Sequence, residues 1–520
     1  MKKNILVTLA ILLGCIGFAK ADVGINSKNF PDVNFRFWVQ EHFNKPNGAI
    51  LSDEELASVK SIVSWKDGLT SVSSLKGIEF FSELETLDIL YDRFYGDNTV
   101  EIVDLTMNKK LKKFIAKVQN NSKTYLSIVL LKNLPELEVV DVKGHNMSIL
   151  DFRGCPKLKS IRLVGGNSKL NVVLDKCESL EEFECSKTPK GIESLDLSLM
   201  PNLKSLNCDS CNVDNLNLSA VKNLDSVNCS SNNLKSLDLS CCKKLRKLNC
   251  GSNPLLSLDC SQLDSLTSID ISRCKSLSVF PVLPSGIKAI VCDTVKSFAN
   301  ADLSRYANLT KLSAKDCGLT SFDAPNHPNL TKLNLSGNHI TALDLSKFKN
   351  FRNSDIRISQ QLYLTAVPMP EQKGYWRFTL PQNLDLNKIY SYDFYNDYAS
   401  RHYTLYSENY QDGDGVQRPS FVANHLGDEN HNPILFFYDY KTGAFYIDSQ
   451  TKKETEVLMT VYVYVKDVAS GVNDIASVKE VKGVKYYDLQ GHESVDPFSG
   501  FNIEVTQFTD GSSLSKKFVR

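Results

Sequence analysis

SVNCSSNNLKSLDLS, Ser226 to Ser240, is flanked on both sides by near-copies of itself, cysteine included. LKSLNC at Leu203, LDSVNC at Leu224, LRKLNC at Leu245 and LTSIDI at Leu266 start 21 residues apart. The series continues at Ile287, Leu309 and Leu330, and looser copies with longer inserts stand upstream at Leu84, Leu111, Leu137, Leu158 and Leu180. Twelve copies at a nearly fixed period predict an array in which no unit buries its apolar face alone.

Each copy reads L-x-x-L-x-(C/L)-x-x-(N/C)-x-L, followed in the better copies by L-D-L-S. The fourth position is apolar throughout, from Leu87 to Leu333. The sixth is Ile89, Ala116, Val142, Leu163, Cys185, Cys208, Cys229, Cys250, Ile271, Cys292, Ala314 and Leu335. On a strand these two positions face the same way, so cysteine shares a core slot with aliphatics and fills volume. At the ninth position Cys211, Asn232, Asn253, Cys274, Cys317 and Asn338 exchange with one another. There an inward amide would satisfy backbone groups at a bend, and a thiol would supply a weaker version of the same bond.

Other cysteine chemistry fits less well. Cys208, Cys229 and Cys250 would stand in line, but their parallel Cβ vectors hold the Cβ atoms farther apart than the roughly 3.8 Å a bridge prefers. Without Cys15 the chain carries 13 cysteines, an odd number. Cys241, Cys242 and Cys260, outside the strand slots, are where bridges would form if the chain is oxidised. The single C-x-x-C, Cys208 to Cys211, has no second pair at zinc-ribbon spacing. A thiol in apolar surroundings has a raised pKa and is inert. No metal or cofactor is expected.

The consensus resembles the leucine-rich repeat, with a period too short for a full helix on the return side, as in internalin-type repeats. The resemblance implies a mainly β, curved solenoid in which a short strand lines the inner face and LDLS forms an extended or tight helical return. At about 4.8 Å per strand, twelve strands span about 55 to 60 Å. Positions three, five and seven then face solvent on the concave side. The expected ligand-binding residues there are Ser205, Asn207, Ser226, Asn228, Lys247, Asn249, Asp270, Lys311, Lys332 and Asn334. The competing reading is a solvated sheet kept soluble by Asn and Ser, since the stripe lacks the exposed Tyr and Trp that anchor interfaces.

Lys+Arg and Asp+Glu number 60 each, which gives no footprint for nucleic acid or an anionic membrane. Lys2, Lys3, the apolar Ile5 to Leu13 and Ala19-Lys20-Ala21 read as a cleaved signal peptide over residues 1–21, hence a secreted or cell-surface protein. Lipidation at Cys15 is the rival. No later segment has the roughly 18 apolar residues of a membrane span. Residues 22–83 read as a helical cap, carried by FPDVNFRFWVQEHF and LSDEELASVKSI, with a first irregular repeat. This resembles the caps of exported bacterial leucine-rich repeat proteins. Between the helices, NKPNGAILSDEE has the spacing of a decayed calcium loop, but Phe43 and Lys45 take its first and third positions, so no calcium is expected.

The solenoid is expected over 84–351. Residues 352–468 turn to Tyr- and Phe-rich alternation such as GYWRFTL and VLMTVYVYV, which predicts a β-sandwich-like module. Tyr395, Tyr398 and Tyr410 could form a sugar-stacking patch. Asp412-Gly-Asp414-Gly and His425 to His431 carry only weak metal signals. Residues 472–520, with Tyr486 to Gly491, Gly500 and Lys516-Lys517, resemble the C-terminal sorting domain of type IX secretion cargo, with His492 where that family often has Arg.

No catalytic constellation rises above background, so the expected function is non-enzymatic: an adhesin-like protein engaging a host or bacterial protein through the concave face. The alternative is a glycan-binding or polysaccharide-capture protein using the 352–468 module, and a third reading is a hydrolase with its site in the 391–433 loops. Nothing in the sequence sets the oligomeric state.

Overall fold

The computed structural model describes residues 22–520 apart from 65, 70, 92–99, 119–125, 167, 193–194, 323–326, 328, 349–354, 383, 395–403, 412–414, 425–434, 448–450, 452, 469–480, 488–492, 495–500, 509–512 and 520. The signal peptide, Cys15, Tyr395, Tyr398, Asp412, Asp414, His425, His431, Gly491, His492 and Gly500 therefore lie outside the described residues. The chain forms two compact units. One runs to Asp270 and includes Pro281–Pro284; the other takes Ile271–Phe280 and everything from Ser285.

The first unit opens with the two expected helices. Asp32 starts the helix Val33–Phe43 by accepting the N–H groups of Asn34 (2.9 Å) and Phe35 (2.8 Å) on Oδ1. Its Oδ2 takes the Ser73 N–H and hydroxyl at 2.8 and 2.6 Å, so one carboxylate both caps the helix and ties it down. Ser52 and Glu55 form a capping box on the helix Asp53–Ser58. Phe30, Phe35, Trp38 and Phe81 pack ring against ring as the plug of the leucine core. In the loop between the helices the Lys45 ammonium bridges the Ile50 carbonyl (2.9 Å) and the Glu55 carboxylate (2.7 Å).

Beyond the cap the fold is a leucine-rich repeat solenoid. Among the described residues ten parallel strands belong to this unit, from Ser61–Val63 and Thr86–Tyr91 to Lys247–Asn249 and Ser268–Asp270. The second unit continues with Ala289–Val291, Lys311–Ser313, Lys332–Asn334 and Ile356–Arg357. Equivalent positions of successive copies stand in exact register, as in Leu206↔Val227↔Leu248↔Ile269. The leucines of positions one and four are buried, and so are Cys185, Cys208, Cys229, Cys250 and Cys292 at position six. Each buried leucine contributes about 1.5–3 kcal/mol. The return side is extended early, where Ile102–Asp104 pairs with Ile128–Leu130 and Ile149–Asp151 with Asn171–Val173, and a 3-10 turn at Leu197–Leu199 and Lys296–Asn300.

What turns each strand into the return is a left-handed residue at position eight. Gly144, Gly165, Lys187, Ser210, Ser231, Ser252, Arg273, Thr294, Asp316 and Gly337 all have positive φ, so only three of ten consecutive copies use the glycine this geometry favours. The bend swings position nine inward, where its side chain meets the carbonyls the bend leaves unpaired. Asn232 Nδ2 donates to the carbonyls of Cys208 (2.8 Å) and Cys229 (2.9 Å), while its Oδ1 accepts from the N–H groups of Cys211 and Val213 at 3.0 Å. Asn253 and Asn338 repeat the pattern. Gln360 closes the series by donating to Leu335 and Ile358.

Upstream, the ninth position holds His145, Gly166 and Thr188. His145 is fully buried and neither ring nitrogen has a hydrogen-bond partner. Gly166 supplies the room it needs: a Cβ there would stand 2.6 Å from His145 Cε1 and 2.8 Å from Thr188 Cγ2.

The rest of the second unit opens on one seven-stranded sheet. Its seven strands run in the order Ile389–Phe394, Leu435–Ile447, Glu454–Val468, Gln360–Pro368, Trp376–Thr379, Gln417–Ala423, Leu405–Gln411, all neighbours antiparallel except Gln360–Pro368 with Glu454–Val468. The sheet folds back on itself, so Phe421 lies 4.9 Å from Phe436 and 5.2 Å from Tyr392 across the core. The module docks on the last repeats through Leu345 N–H to Thr442 O at 2.8 Å, beside Gly443, where a Cβ would come within 3.2 Å of Ser346. A four-stranded antiparallel sheet follows, in the order Glu493–Ser494, Val481–Tyr487, Phe501–Phe508, Ser513–Val519.

Two outcomes follow from these turns. Thr294 is β-branched, left-handed (φ 64°) and carries a buried hydroxyl without a partner. Thr294→Gly should therefore raise stability by about 1 kcal/mol, read as a shift in the urea midpoint. Burial pushes the His145 pKa from 6.5 down to about 4. With the folded value below the unfolded one, stability is complete above pH 6.5 and falls as the pH drops towards 4, by about 3 kcal/mol at about 1.4 kcal/mol per pH unit. Hydrogen exchange over 139–166 should lose protection across that window, and His145→Asn should flatten the dependence.

Candidate functional site

The parallel register sorts the expected site residues into rows. Ser205, Ser226 and Lys247 are neighbours at position three, and Asn207, Asn228, Asn249 and Asp270 at position five. In the second unit Lys311 pairs with Lys332 and Ser313 with Asn334. Lys247, Lys311 and Lys332 are exposed and the other seven are half-buried. All ten thus lie on the outward side of the strands, opposite the cysteine and leucine rows.

The position-five amides also have structural work. The Oδ1 atoms of Asn207, Asn228, Asn249 and Asn334 accept the backbone N–H two residues on, from Asp209 (3.1 Å), Ser230 (3.2 Å), Gly251 (3.1 Å) and Ser336 (3.1 Å). Each is an Asx-type turn that closes the strand end before the left-handed residue. Ser230 Oγ donates to both Asn228 Oδ1 (2.7 Å) and Asp209 Oδ1 (2.9 Å), linking adjacent copies. Position five is therefore shared between turn and surface, and the solvated-sheet reading accounts for part of its composition.

Upstream the face becomes charged. Glu184 accepts from Arg162 Nε (2.7 Å), Ser186 Oγ (2.8 Å) and Asn207 Nδ2 (3.0 Å), and Lys117 pairs with Asp141 at 2.9 Å. Burial pushes the Asp88 carboxyl up, against the pull of Lys117. The surface is thus a row of oriented donors and acceptors fixed by neighbours, able to meet a partner by hydrogen bonds with little reordering.

A second ladder went unread in the sequence although its signal is there. Position two alternates in sign through eight copies: Glu85, Lys112, Glu138, Lys159, Glu181, Lys204, Asp225, Arg246. Consecutive members pair at 2.8 Å (Lys112–Glu85), 2.9 Å (Lys159–Glu138), 2.7 Å (Lys204–Glu181) and 2.5 Å (Arg246–Asp225). These pairs are exposed and worth little singly, but the alternation keeps like charges off adjacent strands. Thr267, Thr310 and Thr331 then end it by donating to the preceding carbonyl.

The thirteen described cysteines are free thiols, Cys241, Cys242 and Cys260 included. Burial pushes Cys155 and Cys242 up to about 11 and Cys260 to about 12. Cys211 departs from the expectation of raised values: its hydrogen bond with the Cys185 thiol, joined by one from Thr188, holds it down while Cys185 goes up. It is fully buried, donates to the Cys185 carbonyl and so occupies an amide's slot. Among the described residues no group of three or more His, Cys, Asp or Glu is placed to hold a metal ion, and no helix is long and apolar enough to cross a membrane.

Fold and face together define a leucine-rich repeat solenoid with a preordered polar strand face. A family model described as Leucine Rich repeats (2 copies) matches residues 307–349. Among solved structures, the functional domain of InlJ from Listeria monocytogenes, described as including a cysteine ladder, aligns at 19% identity and TM-score 0.53, over 86% of this chain and 100% of that one. At that identity the likeness fixes the fold alone. Internalin C2 from Listeria monocytogenes strain 4b F2365 aligns at 15% identity over 65% of this chain and 97% of that one, with a TM-score of 0.20 that carries no argument. No curated protein sequence matches the chain.

The shared role of position five is measurable. Asn228→Ala should cost about 1 kcal/mol in urea unfolding by leaving the Ser230 N–H unpaired, whereas Ser226→Ala should stay within about 0.5 kcal/mol.

Proposed function

We propose that this is a non-enzymatic, internalin-like binding protein that works outside the cell and engages a protein on a host or bacterial surface through its strand face. The observation that supports this most is the in-register row Ser205, Ser226, Lys247 beside Asn207, Asn228, Asn249, Asp270. A continuous surface of fixed polar groups over four adjacent strands suits a flat macromolecular epitope. Ordered side chains also lower the entropy cost of association.

Export by a signal peptide over residues 1–21 completes the reading, and the last fifty residues act as a type IX sorting signal. In support of the latter, Lys516 and Lys517 lie on the terminal strand Ser513–Val519, paired with Glu504 and Ile503.

The test is affinity capture from host and bacterial surface extracts with the mature chain and with Ser226→Arg/Lys247→Glu. A partner retained saturably by the wild type and lost by at least about tenfold in the double variant is the expected result. Equal capture by both, with unchanged thermal unfolding, removes the strand face from the site.

A further inference from the structure

We propose that the seven-stranded module carries a saccharide-binding platform on the solvent side of the strands Trp376–Thr379, Gln417–Ala423 and Leu405–Gln411. The antiparallel registers decide which side chains share that side. Arg377 stands across Val422 from Tyr406, and Thr379 across Ser420 from Glu408, with Tyr410 two residues further on the same edge strand. The alternate residues Phe378 and Phe421 point into the core and are fully buried. Core packing accounts for the phenylalanines and leaves the tyrosines of the other side unexplained.

Those tyrosines surround a fixed guanidinium. Arg377 Nε donates to Glu408 Oε1 at 2.9 Å and its Nη2 to Glu371 Oε1 at 3.0 Å. The guanidinium carbon lies 4.2 Å from the centre of the Tyr410 ring, and Tyr410 Oη is 3.0 Å from Thr379 Oγ1. Tyr406 Oη donates to Gln372 Oε1 at 3.3 Å. Both tyrosines stay half-buried, and side-chain exposure rises from 19% at Arg377 to 57% at Glu371.

A pyranose ring presents an apolar C–H face and a rim of paired hydroxyls. Oriented phenol rings suit the face, and carboxylate, guanidinium and side-chain amide groups suit the rim. Arg377 and Arg418, the latter opposite Tyr410 in the same register, balance Glu371 and Glu408, and a cluster whose charges sum to zero favours a neutral saccharide over a sulfated or uronic one.

The test applies the full mature chain to an array of neutral gluco-, manno- and galacto-oligosaccharides, with sulfated and uronate oligosaccharides beside them. Saturable binding to a neutral group is expected, weakened at least about tenfold by Tyr410→Ala and by Glu371→Gln, and unchanged by Ser226→Arg. Should Tyr410→Ala lower the thermal transition, the exposed Glu371→Gln decides. No binding to any neutral oligosaccharide, preference for the anionic ones, or full binding by a folded Glu371→Gln variant overturns the proposal.

Discussion

Everything in the solenoid hangs on how the chain satisfies buried backbone groups at a turn it must make in each repeat. A strand that ends by bending into the core strands carbonyls away from water, and each unpaired one costs about 1–3 kcal/mol. The inward side chain at position nine removes that cost. Asn232 shows the complete solution, because one amide bonds carbonyls in its own copy and the previous one and accepts two N–H groups in return. The bond thus stitches copies together as well as closing the turn.

The cysteines are a variation on this solution. At position six the thiol is a small apolar filler between aliphatic rows. At position nine it is a poor amide: Cys211 and Cys317 each donate Sγ–H to a carbonyl, from Cys185 and Cys292, but have nothing to return to the N–H groups an asparagine Oδ1 would take. Those groups belong to the preceding copy, whereas the thiol copy's own N–H groups are taken by the asparagine that follows. Asn232 Oδ1 serves the Cys211 N–H and Asn338 Oδ1 that of Cys317, so a thiol copy depends on the amide copy that follows it.

The period, the two core rows, the cap helices and the sandwich-like module were legible because each is a statement about apolar spacing, which the sequence carries directly. The left-handed residue was not, since Ser231, Arg273 and Thr294 give no sign of the conformation the fold imposes on them. Nor was the upstream run of the ladder, where His145, Gly166 and Thr188 fill one slot by volume exchange and match no consensus letter. Position five was read for its exposure alone. Its Asx-type bond is invisible in a sequence because Asn is equally at home on a solvated sheet. The position-two charge alternation, by contrast, was fully written in the chain and required only a comparison of copies.

These assignments constrain where a partner's selectivity can reside. Positions one, four, six and nine are committed to the core, position eight to backbone geometry and position five in part to the strand end. Position three neither packs nor closes a turn, and its charge changes along the face, from Glu182 through Ser205 and Ser226 to Lys247. Changes at Ser205, Ser226 or Lys247 can redirect recognition at little structural cost, whereas changes at Asn207, Asn228 or Asn249 alter the surface and loosen the turn beneath it. The strand face is therefore best understood as a rigid frame of amides at position five, with the variable chemistry carried two residues to its N-terminal side on the same face.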